Sequence, residues 1–140
     1  MHENHNKVLK IAHLNAELLK CRQQFFQTRE LALENDFDIL SISDTWFNSS
    51  VTNASVEISG YRIVRLDRIG KTGAGVCAYA KSVLKVEVLK DLTGITESGL
   101  HQLWIQVQNK KLCSLLVCII YRPHDIGVAC LENELMPKYI

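Results

Sequence analysis

The chain has 140 residues, and its 16 Lys and Arg nearly balance 15 Asp and Glu, so the formal net charge is +1. This length suits one domain. A hydrophobic content of 47% with only 7 Gly and 2 Pro excludes a disordered or collagen-like chain. The balanced charge excludes a strongly basic nucleic-acid coat and an acidic tail, although it is compatible with a local basic patch.

Cysteine usage and the amino terminus indicate the compartment. The five Cys are an odd number without a C-x-x-C pair, which favours neither a disulfide framework nor a zinc ribbon. Residues 1–7 are polar and predict a flexible terminus that is not a signal peptide. No apolar run is long enough to cross a membrane. We therefore expect an intracellular protein, nuclear or cytoplasmic, that is not secreted and does not bind membranes.

The first sixty residues predict a strand, a helix, a second strand and a loop. Residues 8–14 are almost wholly apolar, which predicts a strand buried on both faces with His13 as a satisfied core residue. Residues 17–35 lack Gly and Pro and carry apolar side chains at helical spacing, which predicts an amphipathic helix. Residues 39–43 predict a second strand, and the polar stretch 46–60 predicts a surface loop.

The rest of the chain is rich in strand patterns. Residues 61–80 predict a hairpin, and further strands are predicted at 83–89, 103–107 and 112–121, the last of these having the strongest signal. Residues 130–136 resemble the start of a helix. A βαβ opening followed by antiparallel strands indicates an α+β fold or a layered sandwich rather than an alternating parallel sheet.

Polar side chains stand directly after several of these strands. They are Asn15 after the first strand, Asp44 after the second, Arg65, Asp67 and Arg68 after the third, and Tyr121 and Arg122 after the strongest. If the strand ends share one rim, a carboxylate with an amide suits magnesium, and Arg with Tyr suits a phosphate oxygen. Such a rim would support metal-assisted phosphoester chemistry. The spacing leaves a structural alternative open, in which Asn15 caps the helix, Asp44 ends a turn, and Asp67 pairs with Arg65 or Arg68.

Five short motifs along the chain occur in one known order. They are IAHLN at 11–15, SDTWF at 43–47, GYRIVRLDR at 60–68, GAGVCAY at 73–79 and YRP at 121–123. Together, residues 8–123 resemble the endonuclease domain of non-LTR retrotransposons, which accompanies a reverse transcriptase and belongs to the exonuclease–endonuclease–phosphatase superfamily. The resemblance implies an α+β fold, a four-layer αββα sandwich, of which residues 8–140 would form an incomplete domain lacking its C-terminal part.

The resemblance also implies a chemistry and residue roles. The family nicks DNA with magnesium, and a water attacks the phosphodiester. Catalytic positions would be Asn15, Asp44 and Tyr121, and the metal would be held by Asp44 and Asn15. The DNA or phosphate contacts would be Arg68, Arg122 and Thr45, with Thr45 and Trp46 supporting the loop after Asp44.

Two departures from the family pattern bear on activity. The family has Glu where this chain has Asp44, and the loss of one methylene shortens the reach by about 1.5 Å. Magnesium demands near-ideal geometry at roughly 2.0–2.1 Å, so the shorter side chain would bind it more weakly. The family also continues with Asp-x-Asn and Ser-Asp-His motifs after Tyr-Arg-Pro, and neither follows in this sequence.

Three hypotheses are compatible with these observations. The first is a metal-dependent endonuclease by descent that is inactive as this fragment. The second is a non-catalytic DNA-binding or protein-interaction remnant of the same fold. The third is a phosphodiesterase that is completed by a C-terminal half supplied by another chain.

Overall fold

The computed structural model describes residues 8–109, 112–123, 127 and 129–135, and within them it contains eight strands, two α-helices and a short 3-10 helix. In chain order they are β1 (Ile11–Asn15), α1 (Arg22–Asn35), β2 (Ile39–Ser43), the 3-10 helix (Ala54–Val56), β3 (Tyr61–Leu66), β4 (Val76–Lys81), β5 (Lys85–Val88), β6 (Gly94–Ile95), β7 (His101–Asn109), β8 (Leu112–Tyr121) and α2 (Ala129–Glu134). The predicted flexible terminus at 1–7 lies outside the described residues.

The strands form two sheets. The first has the order β1-β2-β4-β3, with β1 and β2 parallel and the other pairs antiparallel. In the second, β5 and β6 pair with β7, which also pairs with β8. These pairings confirm the βαβ opening, the hairpin over 61–80 and the long strand over 112–121.

The two central strands of the first sheet, β2 and β4, are buried on both faces. Alternate residues of β2 and β4, such as Leu40 and Tyr79, pack with α1. The residues between them, such as Ile39 and Ala78, pack against Ile105 of β7 and its neighbours in the second sheet. One apolar core therefore lies between α1 and the first sheet, and a second core lies between the two sheets.

The short helix α2 is tied to the second sheet. The Gln102 Nε2 amide of β7 donates to the Glu134 carbonyl at 2.8 Å, and the Thr96 hydroxyl donates to Glu134 Oε1 at 2.6 Å. Gln102 alternates with the core residue Leu103, so α2 covers the face of β7 that is turned away from the first sheet. The layers follow the order αββα, which confirms the predicted α+β class and the partial four-layer sandwich.

Strand β1 differs from its prediction. Ile11, His13 and Asn15 are exposed rather than buried, because β1 pairs only with β2 among the described residues. The prediction of a strand buried on both faces is therefore wrong. His13 is not a core residue, and its Nδ1 instead lies 2.7 Å from the hydroxyl of Ser41 on the neighbouring strand.

The helix and the loop also differ from their predictions. Helix α1 begins at Arg22 rather than at residue 17, because Glu17 and Leu18 adopt left-handed backbone angles that a helix cannot continue. The loop over 46–60 is not merely a surface element, since Phe47 and Ile58 are both buried in the core beneath α1. None of the described helices is long and apolar enough to cross a membrane.

Candidate functional site

Three strand ends of the first sheet lie at one level. Asn15 is opposite Ser43 in the parallel pair β1–β2, so Asp44 follows directly beside the end of β1. Ser43 and Leu66 are both opposite Val76, the first residue of β4. The ends of β1, β2 and β3 therefore form a single edge, which we call the rim. The prediction that the polar residues after these strands gather at one edge is confirmed for this sheet.

The loop that carries Asp44 is fastened to the entry of β4. The backbone amides of Asp44 and Thr45 donate to the Gly75 carbonyl at 2.8 and 3.2 Å, and the Trp46 amide donates to the Ala74 carbonyl at 2.8 Å. We call the two paired segments, 43–47 and 73–75, the joint. These three hydrogen bonds between the two segments join backbone groups, so they hold the loop whatever its side chains bind.

Side chains of the joint alternate between the core and the solvent. Thr45 has no exposed surface, and its Oγ1 accepts a hydrogen bond from the Phe47 amide at 3.2 Å. Phe47 is also buried, whereas Asp44 and Trp46 are partly exposed. Thr45 thus supports the loop, and in this structure its side chain does not reach the surface where a phosphate would bind.

The joint is conformationally strained. Asp44, Trp46 and Ala74 have φ of 64°, 63° and 59° without being glycine, and each such residue costs about 1–3 kcal/mol. Gly75 has φ +91°, and a Cβ there would lie 2.6 Å from Thr45 Oγ1. Only glycine fits at this position, since real Cβ contacts are never so short. The backbone hydrogen bonds of the joint hold these left-handed angles, and Asp44 and Trp46 stay partly exposed at the rim.

Asp44 and Asn15 are the oxygen-bearing side chains at the ends of β1 and β2. Among the described residues, no hydrogen bond or ion pair engages the Asp44 carboxylate. Asn15 is exposed, and its Oδ1 accepts a hydrogen bond from the Glu17 amide at 3.2 Å. The described residues hold no cluster of three or more His, Cys, Asp or Glu side chains suited to a metal. The rim therefore offers one carboxylate and one amide.

The guanidinium of Arg65 is engaged in contacts within the fold. Its Nε and Nη2 donate to both oxygens of Asp67, at 3.2 and 2.6 Å, and its Nη1 donates to the Val51 carbonyl at 2.7 Å. The guanidinium also donates to the Asn48 carbonyl at 3.1 Å and lies over the Phe47 ring, 4.8 Å from its centroid. Arg65 thereby ties the loop after the joint to the end of β3. The sequence alternative in which Asp67 pairs with Arg65 is confirmed.

Arg68 lies beside an open groove and, unlike Arg65, has few hydrogen bonds within the described fold. The groove has a volume of about 690 Å³, and both Arg68 and Lys71 line it. The only hydrogen bond described for the Arg68 guanidinium runs from Nη1 to the Thr72 carbonyl at 3.2 Å, which leaves most of its donors for other partners. Since Arg65 neutralises Asp67, the net positive charge of this groove comes from Arg68 and Lys71.

The second sheet contributes Tyr121 at the same rim. Tyr121 ends β8 opposite His101, and the two rings meet edge to face with centroids 5.8 Å apart. Burial lowers the pKa of His101, a hydrogen bond to the Gly99 carbonyl raises it, and the charges of Arg68 and Asp67 lower and raise it in turn. The charges that follow β3 therefore act on His101, whose ring contacts Tyr121. Arg122 follows Tyr121 and is partly exposed.

His101 is a rim-associated residue that sequence reasoning missed. It is fully buried, and its Nδ1–H donates to the Gly99 carbonyl at 3.0 Å, which leaves Nε2 as a buried acceptor without a hydrogen-bond partner among the described residues. A buried polar atom without a partner is unusual. The alternation of β7 could have signalled that His101 shares the inward face of Leu103, but nothing in the sequence indicated its proximity to Arg68.

Comparisons with known proteins place the fold. No family model and no curated protein sequence matches the chain. Among solved structures, the chain is similar to the AP endonuclease LMAP from Leishmania major (16% identity, TM-score 0.52) and to ANGEL2, a 2′,3′-cyclic phosphatase (14% identity, TM-score 0.57). It is also similar to the 3′ phosphatase NExo from Neisseria, solved with a product DNA hairpin (19% identity, TM-score 0.51). At these identities the likeness shows that the chain shares a fold with these three proteins.

The matched region is most of this chain but less than half of each neighbour. The alignments cover 81%, 80% and 86% of this chain and 40%, 39% and 46% of NExo, LMAP and ANGEL2, respectively. The chain therefore spans about two-fifths of the length of these proteins. The activities named for the whole neighbours remain properties of those proteins.

Proposed function

We propose that the chain carries the first part of a magnesium-dependent DNA-nicking site of non-LTR retrotransposon origin, which binds a cation and DNA phosphate but does not nick DNA by itself. The observation that supports this proposal is the pairing of Asn15 with Ser43, which brings Asn15 and Asp44 to neighbouring strand ends at the rim. The fold shared with phosphoester hydrolases supports the same chemistry.

Magnesium fits the donors at the rim, although weakly. Magnesium sites commonly use one or two carboxylates, with water and substrate phosphate completing the octahedron. Asp44 would supply the carboxylate, which has no other partner in the described structure, and Asn15 would supply an amide oxygen on the neighbouring strand. When bound, the metal would polarise a phosphate oxygen. The shorter reach of Asp relative to Glu favours a weaker site.

Phosphate binding rests on the cations and the phenol of the rim. Arg68 presents unused guanidinium donors to the open groove, and an Arg fork binds phosphate oxygens in pairs. Tyr121 ends β8 and Arg122 follows it, and both would contact the same phosphodiester. Thr45 is left out of this set, because its hydroxyl is fully buried and bonded to the backbone of Phe47.

The lack of nicking follows from what the rim offers. Attack on a phosphodiester needs a group that takes the proton from water and further groups that orient that water. The sequence lacks the Asp-x-Asn and Ser-Asp-His motifs that serve this purpose in the family it resembles. The rim of the described structure brings together one free carboxylate and no metal-type cluster. The chain would therefore bind a cation and DNA phosphate without hydrolysing the phosphodiester.

A paired assay tests the proposal. The purified chain is incubated with supercoiled plasmid and Mg²⁺, and its affinity for a short fluorescent DNA duplex is measured in the same buffer by anisotropy. We expect background nicking and measurable DNA binding. Asp44→Ala should remove the Mg²⁺ dependence of binding, whereas Asp91→Ala, an exposed carboxylate in the turn after β5, should leave it unchanged. Robust nicking that Asp44→Ala abolishes would contradict the inactivity, and no DNA binding would contradict the site.

A protein-interaction remnant is a second candidate function, and the sheet edges favour it. Ile11 on β1 and Leu115 and Leu116 on β8 are 47%, 36% and 42% exposed, on strands with one partner each among the described residues. Exposed apolar edge strands readily pair with another chain. Sedimentation velocity of the chain alone tests this candidate. Concentration-dependent association should be lost in Leu115→Lys/Leu116→Lys and kept in Val83→Lys, which changes an equally apolar and more exposed turn residue.

A further inference from the structure

Trp46 occupies a position at the rim that the proposed phosphate chemistry does not use. It follows Asp44 by two residues, and it lies between Thr45 and Phe47, which are 0% and 2% exposed. Trp46 itself is partly exposed. The two neighbours fill the core, so the indole is the side chain of this segment that remains turned to the surface together with Asp44. Trp46 is not a member of either apolar core.

The backbone holds this indole in place. Trp46 has φ 63°, an unfavourable angle for a bulky side chain, and its amide donates to the Ala74 carbonyl at 2.8 Å. The indole lies close to Gly73, because a Cβ built on that glycine would be 3.6 Å from Trp46 Cε2. The joint thus fixes the backbone of a partly exposed aromatic side chain, and its neighbours cover the rest of the ring.

A cation stands next to the indole. The same Cβ position on Gly73 lies 3.8 Å from Arg68 Nη1, so the indole and the guanidinium flank one glycine. Arg68 also lines the open groove with Lys71. A fixed aromatic surface beside a cationic groove is the arrangement by which proteins bind unpaired nucleotides, because the base stacks on the ring while the phosphate meets the cations.

We propose that Trp46 is a stacking platform for an unpaired nucleobase whose phosphate is bound by Arg68, so that the rim prefers single-stranded or locally unpaired nucleic acid over duplex. This inference rests on the proposed function for the position of the phosphate. It does not rest on the metal or on nicking, since stacking and the Arg68 contact need neither. Every base has a face that stacks, so no sequence preference is expected.

The two tryptophans of the chain make the test direct. Trp104 is 9% exposed, and its Nε1 donates to Gln102 Oε1 at 3.2 Å within the second sheet. Binding of a twelve-residue oligothymidine is followed in EDTA by indole emission and by anisotropy of a labelled strand. We expect the oligothymidine to quench the wild-type emission. In Trp46→Phe the emission comes from the buried Trp104 and should not be quenched, while affinity stays within about threefold because Phe also stacks.

Affinity measurements separate stacking from charge. Trp46→Ala should weaken oligothymidine binding by about five- to a hundredfold, the range expected for one stacked base. The same variant should leave unchanged the affinity for an abasic strand of equal length and for a duplex. Arg68→Ala should weaken the binding of all three ligands. Near-ultraviolet circular dichroism of each variant confirms that the joint is folded.

Several results would overturn the proposal. They are no oligothymidine binding by the wild type, equal quenching in Trp46→Phe, and an equal loss for the abasic strand in Trp46→Ala. If Trp46→Ala fails to fold, quenching in the wild type compared with Trp46→Phe still decides the question. Because all measurements are made in EDTA, a failure of the magnesium site leaves them interpretable. A further outcome would support the proposal. If Arg68→Ala loses oligothymidine binding while free thymidine still quenches its emission as in the wild type, Arg68 binds the phosphate and Trp46 stacks on the base.

Discussion

The joint and the two edge strands are opposite kinds of surface on one sandwich. In the joint, backbone groups of residues 43–47 and 73–75 bond to each other, and the strain of three non-glycine residues is held by those bonds. Along β1 and β8, one edge of each strand has no partner among the described residues, and apolar side chains such as Leu116 are exposed. The structure of the rim is therefore stabilised by contacts within the chain, whereas the edge strands present backbone groups that can pair with further strands.

The largest expected effect comes from breaking the joint at Gly75. A methyl group there would lie 2.6 Å from Thr45 Oγ1, in a backbone conformation unfavourable for alanine. Gly75→Ala should therefore destabilise the fold by about 3 kcal/mol or more, measured by urea unfolding. Gly70→Ala is the matched control, since Gly70 has φ +85° but no atom within 4 Å of its Cβ. The control should cost about 1 kcal/mol from the backbone alone. Equal losses in both variants would mean that the joint is not tightly packed.

The two arginines of the groove, Arg65 and Arg68, should differ in how much their removal lowers the stability of the fold. Removing Arg65 leaves the partly buried Asp67 carboxylate without its bidentate partner, so Arg65→Ala should lower the free energy of unfolding by about 2–3 kcal/mol. Arg68→Ala should change stability by less than about 0.5 kcal/mol while weakening nucleic-acid binding. The same urea titrations report both values. A stability loss in Arg68→Ala as large as that in Arg65→Ala would contradict the assignment of a structural role to Arg65 and a binding role to Arg68.

The smallest predicted effect is a pH dependence that arises beneath the rim. Burial lowers the pKa of His101, so near its ordinary value of 6.5 the unfolded chain binds more protons than the folded chain. The stabilising contribution is therefore fully present above pH 6.5 and is lost as the pH falls toward the lowered folded value. Urea unfolding at pH 7.5 and 5.5 should show a smaller loss of stability in His101→Gln than in the wild type, by about 1 kcal/mol. An equal loss in both proteins would show that His101 titrates alike in the folded and the unfolded state.

His13 provides the control for that pH dependence. Burial also lowers its pKa, but its side chain lies on the exposed face of the edge strand β1, next to Ser41. His13→Gln should therefore reduce the pH dependence less than His101→Gln does. A larger effect from His13 would mean that the open edge, rather than the buried side of the rim, controls the acid response.

The main architecture could be predicted from the sequence because it rests on local periodicity. The alternation in 61–66, together with the apolar runs at 76–80 and 112–121, predicts strands whose pairing needed little further information. The start of α1 could not be predicted from composition. Residues 17–21 are good helix formers, but tertiary hydrogen bonds, such as Leu18 N–H to the Asp44 carbonyl at 2.9 Å, hold them alongside the joint instead.

The site could be predicted in part. The polar residues that end parallel strands, Asn15 and Asp44, could be placed together because topology alone brings such residues to one edge. The fate of Arg65 could not be predicted, since its partners come from a loop twelve to seventeen residues earlier in the chain. The burial of Thr45 and the exposure of Trp46 depend on left-handed backbone angles in the joint, which the residue types do not signal.

The most direct test of the account is the cation affinity of Asp44. Mn²⁺ substitutes for Mg²⁺ at oxygen sites, and electron paramagnetic resonance counts the bound ion in titrations of the full chain. The account predicts one weak site in the wild type that Asp44→Asn removes, that Asp44→Glu tightens, and that Asp91→Asn leaves unchanged. A site that survives in Asp44→Asn, or no site in any of the four proteins, would contradict the claim that the rim holds a metal through Asp44.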